Sequence, residues 1–486
     1  MILVVTCLTL ATFFYGVTKR PLPIVVWVLF TLALTYYNPT HVQPYIDVSS
    51  DRLSYEANWG STFENRNPSV FIATNVTHLQ TYLKSSNISV RVAGSMHSYS
   101  PLVKSQHIID IHHLNKILMY NGTHVRVQAG ASIGKVQTFL SHYGKTLRGI
   151  GSITAQTVSG GFSTSLAGIE RRGFSEFATA AKTLDYAGNI VEWSDLYYLR
   201  DSMGLLGVLI ELVLQVFDNR QLDFKVARKP LSELSGSAAD AFDSVLTFHS
   251  DFSSILTVSY TLHNETMPVR PVKRMSRVMR ELIDYVVIPI TFWVPMHALH
   301  WAFESSIVPE FEQLATIGHD APVHGAIFID YRIPTDKCAS FVESMPKQDG
   351  FIRIKILNAR SDACLANTES VCKVELYIPQ HTRAKTYEAL ARQYGGYSHW
   401  GKLYTGNITK QFETFECYSN FEIIRRQQDP IGRFQNAYLK GHPPVYWHGG
   451  YRLWAFHVLI PLFFGIQIWT CAQCCIRTRP VGYQKL

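Results

Sequence analysis

Short β-rich runs alternate with helical runs through the first half of this chain, and glycines close several of them. A strand pattern that ends in a glycine-rich turn and precedes a helical pattern is typical of a βα unit. We therefore predict an α+β domain that begins near Asn58. The runs that carry this pattern are Val70 to Ala73, Thr77 to Ser85, Ile88 to Val92, Ile108 to Ile111, Val125 to Ala129, Ile133 to Tyr143, Ala180 to Tyr186 and Val208 to Phe217.

The length of 486 residues, with 47% apolar side chains, is enough for two or three domains with a sizeable core. A polar connector at Asp218 to Arg228 separates this half from one richer in tyrosine, proline and histidine. We predict a first domain at 52–220 and a second α+β domain at 225–442. The net charge of +8 is mild, and no lysine or arginine run interleaves with aromatic residues, which argues against a nucleic-acid partner.

Apolar residues also concentrate at the beginning of the chain. Met1 to Gly16 and Pro23 to Tyr37 flank the basic pair Lys19 and Arg20. A signal peptide would carry its charges first and a cleavage site afterwards, which is the opposite order. We expect residues 1–40 to form a membrane hairpin, or one anchor preceded by a removable segment.

A second apolar run, 453–470, is about as long as a bilayer crossing requires, although a buried core helix would look similar. The basic tail 471–486 follows it, so the positive-inside rule places that tail in the cytosol and the body in the lumen of a secretory-pathway membrane such as the endoplasmic reticulum. Leu282 to Trp301 is apolar but is interrupted by prolines, which favours a helical hairpin on the membrane or under the cap. Sequons for glycosylation stand at Asn75, Asn87, Asn121, Asn264 and Asn407.

The cysteines are compatible with an oxidising lumen. Cys338, Cys364, Cys372 and Cys417 could pair there in any of three connectivities. Cys471, Cys474 and Cys475 stand where palmitoylation occurs. The Cys-x-x-Cys among them has no second ligand pair, so we predict no metal site.

Two glycine-rich stretches stand out as sites for an anionic ligand. The first, Gly94-Ser95-Met96-His97-Ser98, follows a strand pattern and offers backbone amides and hydroxyls, although a histidine in a turn is usually a surface residue. The second, at 149–168, pairs glycines with hydroxyl residues in a way that suits a pyrophosphate, while a tight turn is the alternative. It does not follow the Gly-x-Gly-x-x-Gly pattern, so a Rossmann site is not indicated.

In the second half, His399-Trp400-Gly401-Lys402 brackets a tryptophan with two groups that transfer protons or hold charge. Such a tetrapeptide on its own is as compatible with a partly buried turn as with a reaction centre. Its neighbours change that balance because they form an ordered series of motifs. The series comprises Asp330-Tyr331-Arg332-Ile333-Pro334 before it and Phe421, Arg425, Asp429, Pro430, Gly432, Phe434, Asn436 and Leu439 after it.

Together with the first glycine loop, these motifs resemble the aldonolactone oxidases, the family of L-gulonolactone and D-arabinono-1,4-lactone oxidase. The resemblance implies a two-subdomain FAD-binding domain of the PCMH or vanillyl-alcohol-oxidase type, followed by a substrate cap, with His97 as the covalent attachment point of the flavin. It implies a small residue, Gly151, on the path of dioxygen to the flavin. The implied flavin contacts are Gly94, Ser95, Met96, Ser98, Gly151, Ser152, Thr157, Gly160, Gly161, Thr164, Gly207 and Val208.

The resemblance further implies that FAD accepts electrons from C2 of a sugar-1,4-lactone and passes them to dioxygen, giving hydrogen peroxide and an ascorbate-type product. Lys402 would stabilise the reduced flavin, and His399 would shape the site or act as an acid–base partner. Relatives carry Glu-x-Arg on a cap strand where this chain has Arg353 and Lys355, so we expect a doubly basic pocket without a carboxylate. The alternatives are a same-fold oxidoreductase for an anionic substrate and an inactive membrane interaction protein.

Overall fold

The computed structural model describes residues 55, 57–58, 62–151, 153–168, 170–230, 242–248, 254–266, 327–346, 351–378 and 383–446. All of these belong to one compact unit of the chain. The terminal segments 1–40, 453–470 and 471–486, the run Leu282 to Trp301 and the cysteines at 471–475 lie outside the described residues. Within the described ranges, none of the helices has both the length and the apolar character of a bilayer-crossing segment.

The N-terminal part begins with a small parallel sheet. Its strand order is β1-β3-β2, and helix α1 connects β1 to β2. The Asn75 side chain caps α1 by accepting a hydrogen bond from the His78 N–H, and Leu79 and Leu83 bury its apolar face. The elements are β1 (Ser69–Ile72), α1 (Val76–Ser85), β2 (Arg91–Ala93) and β3 (His107–Asp110).

A five-stranded antiparallel sheet follows, in the order β4-β5-β9-β7-β8. Its central strand β9 is mostly buried and pairs with β5 on one side and β7 on the other. A two-stranded pair, β6 with β10, lies at the end of this part. The elements are β4 (Ile117–Tyr120), β5 (His124–Gln128), α2 (Ile133–Ser141), β6 (Lys145–Thr146), α3 (Val158–Ser163), β7 (Ala178–Leu184), β8 (Ile190–Trp193), β9 (Val208–Gln215) and β10 (Phe217–Asp218), with a 3₁₀ turn at Phe174–Phe177.

The second half forms a seven-stranded antiparallel sheet in the order β11-β13-β12-β15-β16-β14-β17. Strands β15 and β16 pair so that Arg353 lies opposite Glu375 and Lys355 lies opposite Lys373. The elements are β11 (Arg220–Pro230), β12 (Phe242–Phe248), β13 (Ser254–Thr266), β14 (Ile327–Pro334), a 3₁₀ turn (Thr335–Lys337), α4 (Cys338–Ser344), β15 (Phe351–Leu357), β16 (Val371–Ile378), α5 (Ala384–Gln393), β17 (Tyr397–Ser398), α6 (Ile408–Phe412) and α7 (Tyr418–Gln428).

Two disulfides cross-link this second half and select one of the three connectivities. Cys338 on α4 pairs with Cys372 on β16, at a Cα–Cα distance of 6.0 Å. Cys364 pairs with Cys417, at 5.7 Å. Both separations are ordinary for a disulfide, so the backbone already holds these cysteines where the bonds need them.

The residues after α7 pack onto the N-terminal sheets. The Arg433 guanidinium donates hydrogen bonds to the carbonyls of Leu83 (2.8 Å) and Tyr186 (2.6 Å). The Val90 N–H donates to the Arg433 carbonyl at 2.9 Å. The largest apolar core accordingly runs from Ala73 to Leu439.

Candidate functional site

A cavity of about 590 Å³ lies where the N-terminal glycine loops meet the seven-stranded sheet. Its size is within the range of small-molecule and cofactor sites. The N-terminal part supplies three loops and the second half supplies a wall of charged side chains. Its lining includes Gly94, Ser95, Met96, His97, Ser98, Gly151, Thr157, Gly160, Thr164, Gly207, Lys355, Lys373, Glu375, His399, Gly401 and Lys402.

Arg91 fixes the start of the first glycine loop. Its buried guanidinium donates to the carbonyls of Leu102 and Met203, each at 2.6 Å, and to that of Phe434. Burial lowers the pKa of Arg91 to about 10, so the side chain stays charged at neutral pH. One side chain thereby ties β2 to three other segments that border the cavity.

Glycine is required where the first two loops touch. A Cβ on Gly94 would lie 2.3 Å from Oγ1 of Thr157, a distance that no real contact allows. That same Oγ1 caps α3 by accepting a hydrogen bond from the Gly160 N–H at 3.1 Å. Met96, two residues after Gly94, is buried and adopts a φ of +54°. Glycine adopts a positive φ without strain, so a glycine would suit this position.

The tetrapeptide 399–402 is hydrogen-bonded to the loop that contains His97. The Tyr99 N–H donates to the Gly401 carbonyl at 2.8 Å, and the Ser100 hydroxyl donates to the Trp400 carbonyl at 2.6 Å. Trp400 is 1% exposed, and its indole N–H donates to the Leu365 carbonyl. The two motifs singled out in the sequence therefore form one side of the same cavity.

Both ring nitrogens of His399 are engaged. Nδ1 accepts a hydrogen bond from the Gly401 N–H at 3.0 Å, so Nε2 carries the proton and donates to the Ser165 carbonyl at 3.1 Å. Burial, then the charges of Arg332, Lys373 and Lys402, hold the pKa of His399 well below its usual value of 6.5. His399 is thus a neutral residue that shapes the turn.

A charged chain crosses the cap side of the cavity. Lys402 Nζ lies 3.9 Å from Oε1 of Glu375, and Lys373 Nζ lies 3.0 Å from that oxygen. On its other side, Lys373 Nζ lies 3.4 Å from a carboxylate oxygen of the fully buried Asp330. Burial raises the pKa of Asp330, while the Lys373 ammonium opposes that shift. Positive and negative groups thus alternate from the core into the cavity.

The expectation of a doubly basic pocket without a carboxylate is wrong. Glu375 lines the cavity, and the strand register places it directly opposite Arg353. Lys355 also lines the cavity, but its ammonium donates to the Gly168 carbonyl at 2.7 Å. The acid that is missing from β15 is therefore present on the adjacent strand.

Most of the site residues predicted from the sequence do line the cavity, with four exceptions. Val208 is fully buried in the apolar core, and Gly161 packs against Leu166 and Phe174. Ser152 lies outside the described residues, and the side chain of Arg353 does as well.

The alternation of polar and apolar residues in β16 was the signal that could have revealed Lys373 and Glu375. The strand reads Val-Cys-Lys-Val-Glu-Leu-Tyr-Ile, so its only two charged residues share one face. Arg332 belongs to the motif Asp330-Tyr331-Arg332-Ile333-Pro334, but the sequence did not predict it as a site residue. Its guanidinium donates to the Ser165 carbonyl and hydroxyl, and thereby supports the segment that also accepts from His399.

The glycine loops fit an FAD. Side chains at Gly94 and Gly207 would clash with Thr157 and with the Leu184 carbonyl, so both of these positions at the cavity require glycine. Hydroxyl groups of Ser98 and Thr164 line the same region, close to Gly401. Lys402 and Lys373 provide positive charge at the cap end, which suits a flavin that becomes anionic on reduction.

Comparison with known proteins agrees with this fit. A family model described as FAD binding domain matches residues 69–194, and one described as D-arabinono-1,4-lactone oxidase matches residues 360–442. The L-gulonolactone oxidases of Scyliorhinus torazame and Bos taurus are 20% and 23% identical, with 79% of this chain and 97% of each relative covered. Cholesterol oxidase from B. sterolicum shares the fold, with a TM-score of 0.59 at 11% identity over 80% of this chain and 96% of that one.

The fold and the cavity define an FAD-binding oxidase of the PCMH type. Within that class, the order of motifs from the first glycine loop to the block after 399–402 is that of one group. The two matching family models and the similarity to L-gulonolactone oxidases support the aldonolactone oxidase family for this chain.

Proposed function

We propose that this protein oxidises a sugar-1,4-lactone, of the L-gulonolactone or D-arabinonolactone type, with FAD as cofactor and dioxygen as acceptor. The products would be an ascorbate-type compound and hydrogen peroxide. The observation that carries the proposal is the single cavity shared by the glycine loops and by the charged wall of Lys373, Glu375 and Lys402. The bound flavin supplies the acceptor for two electrons and a hydrogen, which it passes to dioxygen.

Lys402 has the position expected of a cation that stabilises charge next to the flavin. It is partly exposed to the cavity, with 23% of its side-chain surface accessible, and its ammonium lies over the ring of Tyr99 at 5.7 Å from the centroid. Backbone hydrogen bonds, from the Lys402 N–H to the His399 carbonyl and from the Tyr99 N–H to the Gly401 carbonyl, hold the tetrapeptide in place. The lysine is therefore positioned before the reaction begins.

A neutral substrate is better supported than an anionic one. The Lys355 ammonium already donates to the Gly168 carbonyl, and Lys373 lies between the carboxylates of Asp330 and Glu375. An anion would have to approach Glu375, which Coulomb repulsion disfavours. A polyhydroxylated lactone instead offers hydroxyls to both the carboxylate and the ammonium groups.

The test uses the purified full-length protein. We expect a flavin absorbance spectrum and release of peroxide in air with at least one member of a panel of aldono-1,4-lactones. A colourless preparation that FAD does not restore would overturn the enzyme assignment. A yellow protein that is silent on every lactone but turns over an acidic polyol would replace the lactone with an anionic substrate.

Attachment of the flavin through His97 is part of the proposal. His97 lines the cavity together with Ser98, on the loop that follows β2. After acid precipitation, flavin should remain in the pellet of the wild type and move to the supernatant for His97→Ala. Flavin in the wild-type supernatant would contradict covalent attachment.

We also propose a luminal body with membrane anchors at both ends of the chain. The two disulfides support an oxidising compartment. The apolar terminal segments and the basic tail support the anchors. Protease protection of the body in sealed microsomes, lost on addition of detergent, is the expected result.

A further inference from the structure

Oxidation of a carbinol requires a group that takes up the proton of its hydroxyl. The two side chains of the family tetrapeptide do not supply it in this molecule. His399 uses both ring nitrogens in backbone hydrogen bonds, and Lys402 is a cation rather than a base. The acceptor must therefore come from another element that borders the cavity.

Glu375 is the carboxylate in the right place. It lies on β16, it is 9% exposed, and it lines the cavity together with Lys402. Its Oε1 is 3.0 Å from the Lys373 ammonium and 3.9 Å from that of Lys402. The Glu375 carboxylate is thus held by Coulomb attraction between two ammonium groups at the edge of the cavity.

We infer that Glu375 is the proton acceptor of the reaction, an inference that rests on the proposed oxidation of a sugar lactone. The carbon-bound hydrogen leaves with its electron pair to the flavin, the hydroxyl O–H bond breaks, and its proton passes to a carboxylate oxygen of Glu375. The carbon–oxygen bond becomes a carbonyl. One hydride, which carries both electrons, and one proton are thus accounted for.

The surroundings of Glu375 hold it for this task. Lys373 is the positioning residue, because its ammonium lies between Glu375 and the buried Asp330. The other titratable groups at this end of the cavity are Lys355 on β15 and His399 and Lys402 on the tetrapeptide. Arg353 on β15 occupies the position where relatives carry the acid, and Glu375 is its direct partner on the adjacent strand β16. The carboxylate is therefore supplied by the neighbouring strand.

The experiment compares full-length flavoprotein carrying Glu375→Gln or Glu375→Asp with wild type and with Glu369→Gln. Glu369 is exposed, six residues earlier on the same segment, and serves as the matched control. Anaerobic reduction of the flavin by L-gulono-1,4-lactone is followed against pH. Sulfite affinity, read from bleaching of the flavin, gives a second readout that needs no lactone.

We expect Glu375→Gln to slow flavin reduction by about 100-fold or more and to remove the decline in rate at acidic pH. Glu375→Asp should retain part of the rate because it keeps the carboxylate. Loss of one negative charge beside the flavin should tighten sulfite binding about tenfold. Glu369→Gln should change neither value.

Two results would overturn the inference. One is a Glu375→Gln protein that reduces at the wild-type rate with the same acidic decline. The other, decisive even if no lactone reduces the wild type, is an unchanged sulfite affinity, which would place Glu375 away from the flavin. A third result separates the two proposals. If no lactone reduces the wild-type flavin but Glu375→Gln binds sulfite more tightly, the lactone is rejected as substrate and Glu375 is retained as the acid of the site.

Discussion

His399 illustrates how neighbours decide what a residue can do. Its type allows acid–base chemistry near neutral pH, and its place in the tetrapeptide suggested that role. Burial and three nearby cations instead keep it neutral, and two backbone hydrogen bonds occupy its ring nitrogens. The proton therefore has to be handled elsewhere, and the residue contributes by fixing the turn that presents Lys402.

This arrangement predicts a pH effect on stability. Because the pKa of His399 is depressed in the folded protein, its contribution is present above about pH 6.5 and is lost as pH falls toward the folded value. Between pH 6 and pH 5, wild type should lose about 1 kcal/mol more than His399→Gln, whose amide can keep both hydrogen bonds. Urea unfolding at the two pH values measures this, and equal losses would contradict it.

Gly94 and Gly160 provide a graded test of the loop contact. An added Cβ would lie 2.3 Å from Thr157 Oγ1 at Gly94, but 3.1 Å from it at Gly160. We expect Gly94→Ala to lower flavin content about tenfold or more and Gly160→Ala to have a smaller effect. The ratio of flavin to protein absorbance after purification gives the result, and the reverse order would show that the loops do not depend on this contact.

At the scale of elements, the sheet register of β15 and β16 decides the chemistry of the cap. Arg353 and Glu375 are cross-strand partners, so their positions lie side by side on the same face of the sheet. A carboxylate at either position would therefore point toward the same part of the cavity. The disulfide Cys338–Cys372 joins α4 to the residue immediately before Lys373. It anchors the strand that presents the acid.

Removal of this disulfide should destabilise the protein. The bond closes a separation of 34 residues, and its loss should lower the free energy of unfolding by about 2–5 kcal/mol. Cys338→Ser, Cys372→Ser and the double variant should show similar losses in urea, because each lacks the same bond. Additive losses in the double variant would mean that the cysteines contribute separately.

The sequence was a good guide to local structure and a poor one to pairing across the sheet. Strands such as β5 and β9 and helix α2 were predicted because hydrophobic periodicity is a local signal. The partnership of Arg353 with Glu375 depends on two strands separated by a long loop, which no motif on one strand reveals. For this reason the glycine loops, which line the cavity, could be recognised from the sequence, whereas the carboxylate of the cap could not.

At the scale of the whole molecule, the proposed luminal location has a direct consequence for the sequons. Asn87 and Asn121 are exposed, and Asn121 lies in a turn where its side-chain oxygen accepts from the Thr123 and His124 N–H groups. Both sites are open to a glycosyltransferase, which acts only on the luminal side.

We therefore expect the protein from eukaryotic cells to carry N-linked glycans. Enzymatic deglycosylation should lower its apparent mass, and Asn87→Gln should remove one step of that shift. Lys84→Gln, on the same exposed stretch of chain, serves as a control without a sequon. A mass that deglycosylation does not change would contradict a luminal body.

The hydrogen bonds that join Arg433 and Phe434 to the N-terminal part of the chain have a consequence for synthesis. A ribosome makes Leu83, Val90 and Arg91 more than 340 residues before it makes their partners near 433. Until then the guanidinium of Arg91 lacks its Phe434 acceptor, and the border of the flavin cavity remains open on that side. The last hydrogen bonds of the N-terminal part can therefore form only after residues near 433 have been made, so we expect its stable fold to be completed late in synthesis.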